Sequence, residues 1–233
     1  MLQLPDVHGF KAMEYTHYGN PWSADLHEIV PGKLVAMQGP KNIPKRWRDV
    51  MTGDGRLSHR EFGPTHYIDI LRRLNVQAVV RLNVPEYSKE VFIDAGMGFV
   101  DLFFEDCTCP PVEIVAKFML IAEGLPGALA VHCKSGLGRT GTLIALYMMQ
   151  HHGFAAREAM GWLRIVRPGS VIGPQQQYLL DREEVMQRAG ARFRRDGPSV
   201  AIQAADPDAV GRLIAKAVGM VDERMMRAGG RRI

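Results

Sequence analysis

A loop-forming stretch in the second half of the chain carries two side chains that could act together on an anion. Cys133 and Arg139 are separated by five small or flexible residues, after a strand-like apolar segment and before a helix-like one. Such a loop can curl so that successive backbone N–H groups point inward and form an anion-binding nest. The start of the helix near Thr140 adds its positive end, and the planar fork of an arginine fits two phosphate oxygens. We therefore predict a phosphate-binding loop formed by Lys134, Ser135, Gly136, Leu137, Gly138 and Arg139.

The position of the cysteine in this loop predicts a nucleophile. A free cysteine titrates at about pH 8.5, and values of roughly 3.5–7.5 occur at helix N-termini beside cations, so Cys133 should be a thiolate at neutral pH. We expect the Thr140 hydroxyl to donate to that thiolate and His132 to brace the loop from behind. The Cys-x-x-x-x-x-Arg spacing is the signature of cysteine-dependent phosphatases, in which the thiolate attacks phosphorus and forms a cysteinyl-phosphate. The loop and the arginine stabilise charge on the phosphoryl oxygens, and this chemistry needs no metal and no cofactor.

Two other interpretations of the same loop are weaker. Gly136, Gly138 and Gly141 spell the Gly-x-Gly-x-x-Gly pattern of dinucleotide-binding folds. That motif also needs a second strand that ends in an acidic residue, whereas a helical pattern follows Gly153. A buried cysteine beside a glycine turn would leave Arg139 and three glycines unexplained.

Two further loops supply candidates for proton transfer and for positioning water. A phosphatase of this kind needs a general acid for the leaving oxygen. Asp106 precedes Cys133 by enough chain for one helix and one strand, and the neighbouring Glu105 is the competing candidate. Gln175 or Gln176, at the predicted start of a helix, could orient the water that hydrolyses the intermediate.

The elements that must position these loops alternate between strands and helices. Apolar and β-branched runs predict strands over 27–30, 33–38, 76–82, 99–104 and 128–132. Apolar residues at helical spacing predict helices over 65–74, 86–95, 111–123, 140–152, 155–166 and 174–189. The Gly- and Pro-containing stretch 39–64 is expected to be a loop. The alternation predicts an α/β fold with a mainly parallel central sheet flanked by helices, whose sites lie beyond the carboxyl ends of the strands.

The C-terminal part of the chain has a pattern of its own. Apolar residues recur at helical spacing over about 207–228, within a tail (191–233) that carries several arginines. This predicts an amphipathic helix in a basic tail. The helix either packs on its own domain, which we favour, or docks onto a partner.

The composition limits the classes of protein to which the chain can belong. The chain has 233 residues, of which 46% are hydrophobic and 23% charged, with a formal net charge of +4, which is typical of one globular domain with a tail. The positive charge is too sparse for a nucleic-acid-binding face, and no apolar run is long enough to span a membrane. The N-terminus lacks the pattern of a signal peptide, and three cysteines indicate a reducing compartment. We therefore expect an intracellular protein.

With these motifs placed, the chain from about Ile29 to Leu180 resembles the mitotic-exit dual-specificity phosphatases of the cell-division-cycle fourteen type. The matching stretches are Ile29–Lys33, Val79–Asn83, Asp101–Phe104, His132–Thr142 and Arg167–Gln176. The resemblance implies the cysteine-dependent (tyrosine/dual-specificity) phosphatase fold, with Cys133 as nucleophile, Arg139 as phosphate binder and Asp106 as general acid. It also implies phosphoprotein substrates with a preference for phosphoserine followed by proline, besides phosphotyrosine. The implied location is the cytoplasm or nucleus, with the centrosome or cilium as narrower options.

Departures from that family pattern bear on function. Residues 1–28 alone precede the match, so we interpret them as an N-terminal extension to a catalytic domain over 29–190 and expect the first domain of the family to be missing. Cys107 follows the general acid where the family has glycine, and Ser135 replaces alanine. One alternative is a phosphoinositide or RNA-end phosphatase of the same fold, which is disfavoured because Leu137 stands where a second cation would help. The other is a phosphoprotein-binding module, which would typically have lost its nucleophile or acid.

Overall fold

Strands and helices alternate along residues 12–199 and 207–229, which a computed structural model describes. The strands are β1 (Leu26–Val30), β2 (Leu34–Met37), β3 (Trp47–Met51), β4 (Leu57–Phe62), β5 (Val76–Arg81), β6 (Gly98–Asp101) and β7 (Ala128–His132). The helices are α1 (Ala12–Gly19), α2 (Pro64–Arg73), α3 (Glu90–Asp94), α4 (Val112–Gly124), α5 (Gly138–His152), α6 (Ala156–Val166), α7 (Gln175–Asp196) and α8 (Pro207–Gly229).

Five of the strands form the central sheet, in the order β1-β2-β7-β5-β6. β1 pairs with β2 in antiparallel orientation, and the other neighbouring strands are parallel. β5 and β7 are buried along their whole length, as expected for parallel strands with helices on both faces. The predicted α/β fold with a mainly parallel sheet is confirmed.

Helices cover both faces of this sheet. Apolar side chains of α4 to α8 form one core with the first face, and those of α2 and α3 form a second core with the other. α5 is the central helix and is buried over nearly its whole length, because it is apolar around most of its circumference. The loop that carries Cys133 therefore lies between the carboxyl end of a buried strand and the N-terminus of a buried helix, which leaves it little freedom to move.

The expectation of a loop over residues 39–64 is wrong, because β3 and β4 form an antiparallel hairpin there. The hairpin turn lies at Thr52–Arg56, where the Thr52 N–H donates to Arg56 O at 2.8 Å and Gly55 has a φ of +78°. Asp54-Gly55 is a strong hairpin signal. The strands on either side of it are not evident in the sequence, because most of their side chains are exposed and polar, so no buried face marks them.

Three helices differ from the prediction. α3 is shorter, because it covers only Glu90–Asp94 of the predicted range 86–95. α1 lies in a segment where no helix is predicted, and α7 continues past residue 189 to Asp196, so it runs across the predicted domain boundary at residue 190. Gly190 lies inside α7 and does not end it. Its role is in helix packing. A Cβ at this position would lie 1.9 Å from Gln150 O on α5, so glycine permits the close approach of the two helices.

The predicted amphipathic helix corresponds to α8, and its apolar face is covered by the protein itself. The buried side chains are those of Ala209, Val210, Leu213, Ile214, Ala217 and Val221. They pack on α4 and β6, and Lys117 Nζ of α4 forms an ion pair with Asp222 at 2.6 Å. This favours packing on its own domain, so a docking partner would have to use the other face of α8. Among the described residues, no helix combines the length and apolar character required to cross a bilayer.

Candidate active site

The loop between β7 and α5, residues 133–139, is anchored through its backbone carbonyl groups. We call it the phosphate cradle. Lys134 O accepts a hydrogen bond from the Gly39 N–H at 3.0 Å. The carbonyl oxygens of Ser135 and Gly136 accept from Nη2 and Nε of the buried Arg167, both at 2.9 Å.

The two ends of the cradle are held in the same way. Cys133 O accepts from Nδ1 of His132 at 2.9 Å. Leu137 O accepts from the N–H of Gly141 at 2.9 Å and from that of Val171 at 3.4 Å. Every carbonyl from Cys133 to Leu137 is therefore engaged by a donor outside the cradle.

This anchoring orients the amide groups of the cradle. In a planar trans peptide the C=O and N–H bonds point in opposite directions, so carbonyls held outward turn the N–H groups of residues 134–138 inward. None of these N–H groups donates to a backbone carbonyl of the described residues. With the N-terminus of α5 they form an anion nest of the kind that the sequence predicts. Lys134 and Ser135 are exposed at its rim.

Two glycines allow the cradle to approach the sheet. Gly136 has a φ of +70°, and a Cβ at this position would lie 2.1 Å from Met37 O. A Cβ on Gly39 would lie 2.2 Å from Cys133 O. Both positions require glycine, because any side chain would displace the loop.

The Cys133 thiol lies at the base of the cradle and is only 2% exposed. Burial raises the pKa of this thiol, but the Thr140 hydroxyl and amide, the charge of Arg139 and the Leu137 amide lower it, and the net pKa lies below the usual value. Thr140 Oγ1 is itself buried and completes no hydrogen bond of full geometry. Since it is among the groups that lower the Cys133 pKa, we interpret it as the donor to the thiolate.

Arg139 is fixed by two carbonyls at the same sheet edge. Its Nη1 donates to Leu82 O at 3.2 Å and to Phe104 O at 3.0 Å, and these residues follow β5 and β6. Its Nε is buried without a hydrogen bond, although it lies 3.2 Å from an Asp106 carboxylate oxygen. That contact is an ion pair outside hydrogen-bond geometry, so Nε remains a donor for an anion in the cradle.

The two candidate acids lie on the loop between β6 and α4. The Asp106 carboxylate is exposed and lies beside Arg139, whereas Glu105 is exposed with no ion pair in the described structure. Cys107 has a φ of +59°, the left-handed conformation that favours the glycine of the family pattern. The Cys107 N–H donates to Asp106 Oδ1 at 3.0 Å, so this unusual backbone turns the amide toward the acid.

The two glutamines take different positions. Gln175 is fully buried and bridges two loops, because its Oε1 accepts from the Ile172 N–H at 3.1 Å and its Nε2 donates to Thr108 O at 3.0 Å. Gln176 instead accepts from Nη2 of Arg164 at 2.9 Å. Gln175 is thus joined to the acid loop, and Gln176 braces the loop that precedes α7.

His132 braces the cradle from within the core. Its Nε2 accepts from the Tyr87 hydroxyl at 2.6 Å, while Nδ1 donates to Cys133 O. Burial is the main cause that lowers the pKa of His132 to about 4, so the imidazole is neutral at physiological pH and this tautomer is fixed by its two partners.

Sequence reasoning missed Arg167, Tyr87 and Gly39 as parts of the site. In the sequence Arg167 is only the first residue of the matching stretch Arg167–Gln176, and an arginine before a Pro-Gly turn is ordinarily exposed. Here it is 2% exposed and holds two cradle carbonyls. Among the described residues, no three His, Cys, Asp or Glu side chains come together as metal ligands.

A buried thiol of lowered pKa lies beneath inward-facing amides, an arrangement suited to phosphoryl transfer through cysteine. Residues 62–184 match the protein family described as "Dual specificity phosphatase, catalytic domain", and the chain belongs to that family. The match includes β5, β6, β7 and α5, which position Arg139, Asp106 and Cys133.

Within this family the chain is similar to proteins of the CDC14 type. It is 44% identical over 189 residues to the dual specificity protein phosphatase CDC14A of Homo sapiens, covering 81% of this chain and 30% of that protein. It is 43% identical over 179 residues to the tyrosine-protein phosphatase cdc-14 of Caenorhabditis elegans, covering 77% of this chain and 24% of that protein. The chain thus spans about a quarter to a third of the length of these relatives.

Solved structures support the same fold. Tk-PTP in its active form has a TM-score of 0.51 and 24% sequence identity, covering 69% of this chain and 96% of that chain. PTPMT1 in complex with PI(5)P has a TM-score of 0.51 and 19% identity, covering 72% and 97%. At this level of identity the likeness concerns the fold alone.

Proposed function

We propose that this chain is a protein phosphatase that hydrolyses proline-directed phosphoserine and phosphothreonine sites, as well as phosphotyrosine, through a cysteinyl-phosphate. The observation that carries the proposal is the Cys133 thiol of lowered pKa beneath amides whose carbonyls are all anchored outward. Family membership supports it, and so do the printed names of relatives at 43–44% identity.

The first chemical step uses Cys133, Arg139 and Asp106. The Cys133 thiolate attacks phosphorus, an S–P bond forms, and the P–O bond to the substrate breaks in line. The cradle amides and Arg139 Nε bind the equatorial oxygens as their charge develops. Asp106 in its protonated form gives its proton to the leaving oxygen, and its carboxyl group lies beside Arg139 at the edge of the cradle.

The second step returns the enzyme to its starting state. Water attacks phosphorus, the Asp106 carboxylate takes its proton, and the S–P bond breaks to release phosphate and the Cys133 thiolate. Gln175 is the candidate to orient this water. Both polar atoms of its amide are engaged here, so that role requires the bond to Thr108 O to open.

Substrates and location follow from the same proposal. The exposed rim of the cradle leaves access for a phosphorylated side chain, and we propose phosphoproteins rather than nucleic acid as partners. The three cysteines are free thiols, which fits a reducing interior, in the cytoplasm or nucleus, with the centrosome or cilium as narrower options.

The experiment that tests this proposal compares kcat/KM on matched phosphopeptides. A phosphoserine-proline peptide, the same peptide with phosphotyrosine, and a phosphoinositide are assayed with the wild type and with Cys133→Ser. We expect turnover of the phosphopeptides, loss of turnover in Cys133→Ser, and retained binding of phosphopeptide by that variant, because the cradle stays intact. Turnover of the phosphoinositide alone, or residual turnover in Cys133→Ser, would contradict the proposal.

A second experiment assigns the general acid. Replacement of Asp106 by Asn should lower kcat/KM, which reports the first chemical step alone, roughly 10²–10⁴-fold on phosphoserine and much less on an activated aryl phosphate, whose leaving group needs no proton. Glu105→Gln is the matched control on the same loop, and a small loss is expected. Equal losses on both substrates, or a larger loss with Glu105→Gln, would refute Asp106 as the acid.

A further inference from the structure

We propose that Asp25, just before β1, is a positioning residue for the phosphate cradle and that it acts through Arg167. The inference rests on the proposed phosphatase function. It assigns a role to one residue of the segment 1–28, which the sequence predicts to be an extension preceding the catalytic domain.

Asp25 is held in an unusual backbone conformation by several contacts. Its φ is +47°, a left-handed value that costs a non-glycine residue about 1–2 kcal/mol, although Asp tolerates it better than most. Its N–H donates to Asn20 O at 3.2 Å, and its carbonyl accepts from the Gln38 N–H at 3.1 Å. Strain of this kind persists where surrounding contacts fix it, often beside a functional site.

The strained residue meets the buried guanidinium that holds the cradle. Arg167 Nη1 donates to Asp25 O at 3.0 Å and to Asp25 Oδ1 at 2.8 Å. Nε and Nη2 of the same guanidinium hold Gly136 O and Ser135 O. One planar group therefore joins the start of β1 to two consecutive peptide units of the cradle.

The charge of Asp25 sets the orientation of Arg167. A buried guanidinium needs a counter-ion, and in the described residues Asp25 is the carboxylate that forms an ion pair with it. His27 Nδ1 lies 3.0 Å from Nη1, but burial, followed by the charge of Arg167, lowers the pKa of His27 to about 4. His27 is therefore a neutral acceptor and does not replace the carboxylate.

Loss of the carboxylate charge should loosen the cradle at a defined place. Arg167 would hold the carbonyls of Ser135 and Gly136 less firmly, so the N–H groups of Gly136 and Leu137 would no longer be kept inward. The Leu137 amide is one of the groups that lower the Cys133 pKa. The expected signature is weaker anion binding and a less acidic Cys133 in a protein that remains folded.

The test uses Asp25→Asn, because Asn tolerates positive φ and removes only the charge. Inhibition by orthovanadate measures affinity for the cradle, the pH dependence of Cys133 alkylation by iodoacetamide measures its acidity, and thermal unfolding measures stability. We expect vanadate affinity to fall roughly 10-fold, the scale of a lost charge-assisted bond, and the alkylation midpoint to move to higher pH. Asp49→Asn is the matched control, because it removes a bidentate Asp–Arg pair with Arg60 on the hairpin. It should change neither the vanadate affinity nor the alkylation midpoint.

A double-mutant cycle tests whether Asp25 acts through Arg167. Arg167→Lys keeps the charge and loses the fork that holds two carbonyls, so it should weaken vanadate binding at least as much. The double variant should then resemble Arg167→Lys alone. Additive losses, or a fall in melting temperature with unchanged vanadate affinity and alkylation midpoint, would overturn the inference. A wild type that neither binds vanadate nor hydrolyses phosphate esters would overturn the proposed function instead.

Discussion

Replacing Gly136 by alanine should distort the cradle, and the structure supplies a matched control for the effect of backbone strain. Gly136 and Gly153 both have a φ of +70°, and they lie just outside the two ends of α5. A Cβ on Gly136 would lie 2.1 Å from Met37 O, whereas a Cβ on Gly153 would meet no atom within 4 Å. Gly153→Ala therefore introduces the strain alone, and Gly136→Ala introduces the strain together with a steric clash.

The size of each effect follows from these distances. The left-handed conformation costs alanine about 1–2 kcal/mol at either site. At Gly136 the clash must also be relieved by a displacement of about 1 Å, because carbon and oxygen ordinarily approach no closer than about 3.3 Å. Overpacking adds about 1–3 kcal/mol, and a catalytic misplacement of about 1 Å costs roughly 10²-fold in rate.

The assay combines thermal unfolding with turnover of an aryl phosphate. For a chain of this size each 1 kcal/mol lowers Tm by about 2–4 °C, so Gly153→Ala should lose a few degrees and keep its kcat. Gly136→Ala should lose more stability and about two orders of magnitude in kcat/KM. If the two variants have the same activity, the cradle is not held in place by its contact with Met37 O, and the steric argument fails.

Two further predictions concern the thiol and the C-terminal helix. Thr140→Val removes a hydroxyl that lowers the Cys133 pKa, so the pH midpoint of Cys133 alkylation should rise. For the same reason activity should fall more below neutral pH than above it. An unchanged midpoint would exclude Thr140 as the donor. Ala217→Asp places a charge on the buried face of α8 and should lower the free energy of unfolding by more than about 2 kcal/mol. Ala215→Asp, on the exposed face of the same helix, should change that free energy by less than about 0.5 kcal/mol. Similar melting temperatures for the two variants would show that α8 does not pack on its own domain.

The parts of the site that the sequence predicts are those that lie close together along the chain. Cys133, Arg139 and the residues between them are contiguous, and their types alone indicate an anion nest. The buried strands β5 and β7 are equally clear, because parallel strands covered on both faces are continuous apolar runs.

The parts that the sequence does not predict depend on distant residues or on exposed strands. Arg167 and Asp25 are 142 positions apart, and nothing local to either one indicates that the two meet. The β3–β4 hairpin was missed because neither of its strands has a buried face of alternating apolar residues. The Asp54-Gly55 turn is the local feature of the sequence that indicates a hairpin there.

The long span between Asp25 and Arg167 has a consequence for the order in which the enzyme acquires its reactivity. The donors that hold the cradle carbonyls come from segments both before and after the cradle, so the cradle cannot close until both ends of the domain have met. During synthesis Cys133 emerges before Arg167, while it is still an ordinary and weakly acidic thiol. In refolding, helical signal should therefore return before alkylation at low pH does. The lowered pKa of Cys133 is therefore a property of the completed fold, and in an unfinished chain this cysteine should be less reactive and less easily oxidised.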